Sequence, residues 1–484
     1  MRRRDFLQLS TTAAALASTR AGARGQTSGS DSRFDEIAVL VQKRMVDHHV
    51  PGVAIGLLEG DQLHLRGFGV TRLDDPQPVT EDTLFTIASV SKTMTATAVM
   101  KLVEEGRLDL RSPVRTWLPD FRVRDDVVSR TVTLWHLLTH TPGWEGQLGT
   151  EDRGVDALSQ FVSTIMPTLP KLADPGEVWS YNNAGFALSG RIIEVVTGRS
   201  IHDALKDLVF TPLGLSRTFT RLTDAMTWRM SLGHRDREGR TEVIRPFQTT
   251  SSTTAGGVMT SLSDLMRYAR FHLGDGRSPG GAPYVSRARL DTMQTAQLRK
   301  NSTDDEMGLG WHLRRVGDVP TFAHGGTLNG HCLLLELVPA RNLAFAVITN
   351  HQDGWRLVQE VEAALLRRFA GASLAPRQAI GHRGVNEAMT FHATPLPTQP
   401  PLAEYEGRYE RPPVGTVDVR RRGDGLAVTT AANQPEVGIT FFDRDVAYAV
   451  DGAYIGMPFE FIREAGGNVR WIRVNGRIAR STRL

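Results

Sequence analysis

Strand patterning sits at both ends of residues 33–369, and helical patterning fills the middle. Residues 53–58 and 63–69 alternate around Gly60-Asp61, as the arms of a β-hairpin do. Residues 308–315, 321–324, 331–338 and 343–349 read as further strands, with Pro339-Ala340-Arg341-Asn342 as a turn. Between them, residues 133–139, 185–197, 201–208 and 262–273 carry helical periodicity, the last with Ser263 beside Asp264 as its expected cap. Helical patterns over 33–49 and 355–369 open and close the region. Two chain ends that both supply strands predict an antiparallel sheet flanked by helices, with an all-helical insertion.

The composition changes on either side of this region. Residues 1–23 carry Arg3-Arg4 before a weakly apolar stretch and Ala21-Gly22-Ala23. That pattern reads as a twin-arginine signal peptide, and predicts an exported, periplasmic or secreted protein. Residues 24–31 read as a disordered stretch, and 32–371 as the main domain. Residues 372–400 are polar and proline-containing and read as a linker. From 401 to 484 short strands alternate with tight turns at Gly423-Asp424-Gly425, Asp451-Gly452 and Gly466-Gly467-Asn468. This predicts a small antiparallel β-barrel or sandwich.

The bulk numbers exclude several functions. The formal charge is +4, and residues 1–23 hold four arginines and one aspartate, so the remainder carries +1. No basic stripe with interleaved aromatics suggests nucleic acid, and no run of 18 apolar residues suggests a membrane span. The single cysteine, Cys332, excludes an intrachain disulfide and a thiolate zinc site. It lies in an apolar run and reads as a buried structural thiol.

Chemistry is carried first by Ser89-Val90-Ser91-Lys92, which opens an apolar helical run. On a helix, residues three apart share a face, so an amine would lie within reach of a hydroxyl. Serine needs such a base to become a nucleophile. Helix-start N–H groups beside Ser89 would stabilise an oxyanion. The chain has six lysines against fifty-one arginines, and Ser89 is the only serine three positions before a lysine. Arginine could not replace Lys92 as base, because it does not deprotonate in proteins.

Two further motifs follow. Trp179-Ser180-Tyr181-Asn182-Asn183 offers a phenol for proton transfer and an amide that both donates and accepts. Read alone, it is a loop tyrosine followed by a capping Asn183. His324-Gly325-Gly326-Thr327 ends an expected strand; its glycines admit a substrate backbone, and its histidine can hold charge or relay a proton. Read alone, it is a glycine turn.

Taken in order, Ser89-x-x-Lys92, Tyr181-x-Asn183 and His324-x-Gly326 resemble the motifs of the serine β-lactamase-like hydrolases. These include class C β-lactamases, D-alanyl-D-alanine carboxypeptidases, D-aminopeptidases and β-lactamase-like carboxylesterases. Residues 106–119 and 133–143, Pro175-Gly176, 212–215 and Ala255-Gly256-Gly257 are similar to the flanking blocks, so the resemblance covers roughly 32–370. It implies an α/β (α+β) β-lactamase-like fold. It implies Ser89 as acylated nucleophile, with Lys92 and Tyr181 sharing acid–base work. The N–H groups of Ser89 and Thr327 would form the oxyanion hole. Asn183, His324, Gly325 and Gly326 would bind substrate. The class C enzymes carry lysine where His324 stands, a fixed charge suited to a substrate carboxylate. A histidine is mostly neutral near pH 7, which ranks esters and D-amino-acid peptides or amides ahead of β-lactams. The substrate expected is thus a small-molecule ester, amide or short peptide, with cell-wall peptides among them; a non-catalytic penicillin-binding sensor or cell-wall binding protein is the other class. No cofactor and no metal are called for. Tyr405-Glu406-Gly407-Arg408-Tyr409 is similar to the lipocalin-like β-domains appended to some members.

Two other signals carry little. Gly276-Arg277-Ser278-Pro279-Gly280 matches G-x-S-x-G, but that elbow needs a strand before and a helix after. His136 and His140 have the i, i+4 spacing of helix-borne zinc ligands but lack the H-E-x-x-H glutamate.

Overall fold

The computed structural model describes residues 31–147, 154, 156–246, 249–300, 305–374, 394–430, 434–452 and 455–483. The expected signal segment, the disordered stretch up to residue 30 and most of the linker, 375–393, lie outside the described residues. Two compact units form: one from 1–106, 199–295 and 310–375, the other from 107–198, 296–309 and 376–484.

The first unit is built on an antiparallel sheet drawn from both chain ends. β1 (Gly52–Glu59) and β2 (Gln62–Gly69) come from the front. β3 (His312–Val316), β4 (Val319–Leu328), β5 (His331–Val338) and β6 (Leu343–Thr349) come from the back. Their order is β2-β1-β6-β5-β4-β3. β5 and β6 are buried along their whole length, which explains their continuous apolar runs. Both match their expected bounds. β4 is longer than the expected 321–324, because its pairing with β5 runs on through the glycines to Leu328↔His331. The strand expected over 308–315 begins only at His312, after Gly310 at φ +74°.

Helices cover both faces. α1 (Ser32–Asp47) and the closing helix (Trp355–Leu365) pack together, and both touch sheet strands. On that side Phe34 meets the ring of His64, which pairs with Leu57. On the opposite face Gly56 lets the helix Leu262–Leu273 close in: a Cβ there would stand 2.8 Å from Met266 Cγ. That helix is capped by Ser261, whose hydroxyl accepts from Asp264 N, rather than by the expected Ser263. The chain enters the helix directly from a short strand that ends at Ser261, so the cap falls two residues earlier. Ser263 donates instead to the Glu81 carbonyl.

The first unit also buries charge. Arg314 donates to both oxygens of Glu336 at 2.8 Å and also to Glu362, and all three side chains are buried.

The second unit joins the helical residues 107–198 to a closed eight-stranded barrel. Its strands, Gly407–Arg411, Gly415–Arg422, Gly425–Thr429, Val437–Asp443, Val446–Ala449, Pro458–Arg463, Val469–Val474 and Arg477–Ser481, run in sequence order. Side chains fill its centre: Tyr405, Tyr409, Phe441 and Phe461 are all at most 2% exposed. Leu396, in the last stretch before the barrel, packs onto the same core. Among the described residues no helix is long and apolar enough to cross a membrane.

Candidate active site

Ser89 lies in a 3-10 turn, Ala88–Val90, one turn ahead of the α-helix Ser91–Glu104. The expectation that Ser89 opens the α-helix is corrected by this turn. Ala88 takes φ +44°, a left-handed conformation that is costly for a residue with a Cβ and collects at functional sites. The tight turn still sets the expected pair on one face: Lys92 Nζ lies 3.1 Å from Ser89 Oγ. Lys92 is fully buried, and its amine also donates to the Ala255 carbonyl at 2.5 Å. This neighbour had no local signature beyond the Ala255-Gly256-Gly257 block. Two more bonds fasten that block to the helix: Val258 N donates to Ser91 Oγ, and Thr95 Oγ1 donates to the Thr254 carbonyl.

β4 runs beside the same turn. A Cβ on Gly326 would stand 2.7 Å from the Ile87 carbonyl and 2.9 Å from Ala88 Cβ, so only glycine permits this approach. The pairing of β4 with β3 stops at His312↔Ala323, and residues 324–328 continue past that point toward the Ser89 turn. His324 is buried; its Nδ1 donates to the Gly325 carbonyl at 2.7 Å, and its ring meets His312 edge-to-face at 4.9 Å. Thr327 Oγ1 accepts from Trp355 Nε1. Cys332, facing Thr327 in the register, is buried, and burial pushes its thiol up to about 12, which keeps it unreactive. One unit therefore gathers Ser89, Lys92, His324, Gly325, Gly326 and Thr327.

The second unit builds the tyrosine motif. Asn182, not Asn183, caps the helix Asn183–Thr197: its Oδ1 accepts from Gly185 N at 2.8 Å, and its amide donates to the Trp144 carbonyl. Asn183 is thereby relieved of the capping task expected of it when the motif is read alone. Tyr181 is buried, with the His140 ring 4.6 Å away and tilted. His140, at φ +60°, accepts from Asn182 N through Nδ1. His136 closes a capping box with Thr133, and burial with the nearby Arg111 pulls its imidazole down to about 4. Both histidines thus have structural employment. Residues 276–280 follow a helix and hold an Arg277↔Pro283 bridge, so Ser278 occupies a turn and no nucleophile elbow.

The barrel is fastened to this motif. Tyr181 N donates to the Gly476 carbonyl at 2.8 Å, and Ile478 N donates to Ser180 Oγ. Arg473 donates twice to the Trp179 carbonyl, and Trp471 Nε1 donates to the Leu172 carbonyl. Glu145, only 1% exposed, pairs with Arg477 at 2.8 Å and with Arg411 at 3.3 Å. Arg477 also lies over the Tyr181 ring, 5.8 Å from its centroid. These contacts join residues some 300 positions apart, and no local pattern announces them.

A buried amine against a serine hydroxyl can accept the hydroxyl proton during attack, and a strand N–H beside the same turn can hold an oxyanion. A family model described as Beta-lactamase matches residues 37–367. The chain belongs to the beta-lactamase family. Its members with this fold are in general serine hydrolases. Penicillin-binding protein 4 of Amycolatopsis lactamdurans is 34% identical over 373 residues, spanning 75% of this chain and 94% of that protein. The crystal structure of SurE aligns with a TM-score of 0.76 at 25% identity, over 93% of this chain and 99% of that one. A second structure of SurE, with D-Leu, aligns at 0.74. The class C beta-lactamase of Rhodobacter sphaeroides aligns at 0.56 and 24% identity over 68% of this chain, a likeness of fold. The beta-lactamase match ends before the barrel, whereas the SurE likeness covers nearly the whole chain.

Proposed function

We propose that this protein is an exported serine hydrolase that works through an acyl-enzyme on esters or on D-amino-acid peptides and amides. The observation that carries the reading is the 3.1 Å contact between the fully buried amine of Lys92 and the Ser89 hydroxyl. Ser89 attacks the carbonyl while Lys92 and Tyr181 manage its proton. The Ser89 and Thr327 N–H groups hold the tetrahedral oxyanion. The leaving group departs protonated, and water then releases the acid from Ser89.

His324 supports the substrate ranking. It offers an imidazole, already bonded through Nδ1, where class C enzymes offer a fixed ammonium. The likeness to a structure of SurE with D-Leu supports a D-amino acid as part of the substrate. The likeness to a penicillin-binding protein supports penicillin as an acylating probe. Export rests on the Arg3-Arg4 segment and is tested by fractionating cells for the mature chain.

The deciding experiment follows pre-steady-state product release from a chromogenic ester, a D-amino-acid p-nitroanilide and nitrocefin, with mass spectrometry of the intact protein. Repeated turnover on ester or anilide, lost in Ser89→Ala, supports the proposal. Efficient nitrocefin turnover would make the protein a β-lactamase. One stoichiometric burst with a stable adduct would make it a penicillin-binding sensor.

A further inference from the structure

The barrel hairpin that reaches the tyrosine motif has its own local logic. Val469–Val474 and Arg477–Ser481 are joined by Asn475-Gly476, both left-handed at φ +50° and +72°. Asparagine and glycine are the residues that tolerate this turn. The turn fixes where the Gly476 carbonyl points, and that carbonyl accepts from Tyr181 N. The next residue, Arg477, carries its guanidinium to the Tyr181 ring and to Glu145.

Among the described residues, one acidic group near Tyr181 is shared by two cations. Arg473 is paired with Glu460, and Lys300, which lies over Trp179, is paired with Asp305. The His140 ring accepts through Nδ1, as a neutral imidazole does. Glu145, by contrast, is shared by two guanidiniums, those of Arg411 and Arg477. One carboxylate between two arginines leaves an excess positive charge, with the half-buried Arg477 guanidinium 5.8 Å from the centre of the phenol ring. A cation at that range favours the deprotonated form of an acid.

We propose that Arg477, supplied by the barrel, is a positioning residue for Tyr181: it fixes the ring and supplies the positive charge that lets the phenol give up its proton. The proposal rests on the reading above in which Tyr181 moves protons. It makes the barrel a part of the catalytic apparatus.

The test is the pH dependence of kcat/KM and kcat on a neutral chromogenic ester, using the full chain. Arg477→Ala is expected to lower kcat by about 10- to 100-fold, with KM held within about twofold. The acid limb of its profile should move up by roughly one pH unit. Arg477→Lys keeps the charge and should return most of the limb position. Glu145→Gln removes the balancing carboxylate and should move the limb the other way, to lower pH, which a loss of packing would not do. If Arg477→Ala fails to fold, the other two variants decide the question: the limb should stay near its wild-type position in Arg477→Lys and move to lower pH in Glu145→Gln, and an unmoved limb in Glu145→Gln overturns the proposal. An unmoved limb in folded Arg477→Ala, or a loss confined to KM for carboxylate-bearing substrates, overturns the proposal alone. A wild-type chain that is never acylated at Ser89 by ester, anilide or penicillin overturns it together with the reading beneath it.

Discussion

Trp355 Nε1 donates to the Thr327 hydroxyl at 2.6 Å, so the closing helix braces the end of β4. The same indole fills the space above Gly325, where a Cβ would meet Trp355 Cη2 at 2.7 Å. Replacing Trp355 with Phe keeps most of the bulk and deletes the donor. We expect a loss of about 1 kcal/mol in stability and a fall of about 3- to 10-fold in kcat, the scale of a loosened oxyanion donor. Thermal melts and ester kinetics check both; unchanged kcat would release Thr327 from the oxyanion role.

Lys92 holds two bonds, and its removal should separate chemistry from structure. Lys92→Ala is expected to slow acylation by about two to four orders of magnitude. It also leaves the Ala255 carbonyl buried without its donor, at about 1–3 kcal/mol. Lys92→Met restores the volume but no basicity, so acylation should stay slow in both. Mass spectrometry of penicillin adducts against time reads the rate.

Gly326→Ala asks whether the close approach of β4 to the Ser89 turn matters. Its Cβ would press on the Ile87 carbonyl, and the strand or the turn must shift by several tenths of an ångström. An expected loss of at least about tenfold in kcat/KM, with a folded circular dichroism spectrum, follows from displaced catalytic groups. Wild-type kinetics would show that the strand is not part of the site.

Two buried groups should bend the stability curve in opposite directions. Burial pushes the Glu362 carboxyl up to about 8, from 4.5 unfolded. The folded chain then holds a proton that the unfolded chain releases, so this contribution is full below about pH 4.5 and is lost as pH rises through 8. Burial pulls His331 down to about 4, from 6.5 unfolded. Its contribution is full above 6.5 and is lost as pH falls through 4. Glu362→Gln should therefore flatten the alkaline arm of melting temperature against pH, and His331→Asn the acid arm. Parallel curves for wild type and either variant would refute the corresponding assignment.

The middle of the sheet was readable because β5 and β6 are buried on both faces. Residues 331–338 and 343–349 are unbroken apolar runs between turn residues, and their ends coincide with the observed strands. Ser89 and Lys92 were readable because their contact is three residues long. Caps were read less well. Ser263 and Asn183 each had a neighbour, Ser261 and Asn182, equally suited to the task, and the entry angle of the chain decided between them. The Ala255 carbonyl, His312 beside His324 and the Arg477–Glu145 pair were not readable. Each depends on where a distant segment arrives, and a carbonyl or a surface-like arginine has no sequence signature for that.

The filled centre of the barrel has a further consequence. Many eight-stranded barrels are vessels. Here Tyr405, Tyr409, Phe441 and Phe461 occupy the bore, and Tyr405 is anchored by its hydroxyl to Asp445 at 2.9 Å. A cargo could enter only by evicting aromatic rings that each cover some 150–250 Å². Among the described residues the barrel is thus a filled bracket, and what it contributes to Tyr181 passes through its outer wall and the tip of one hairpin.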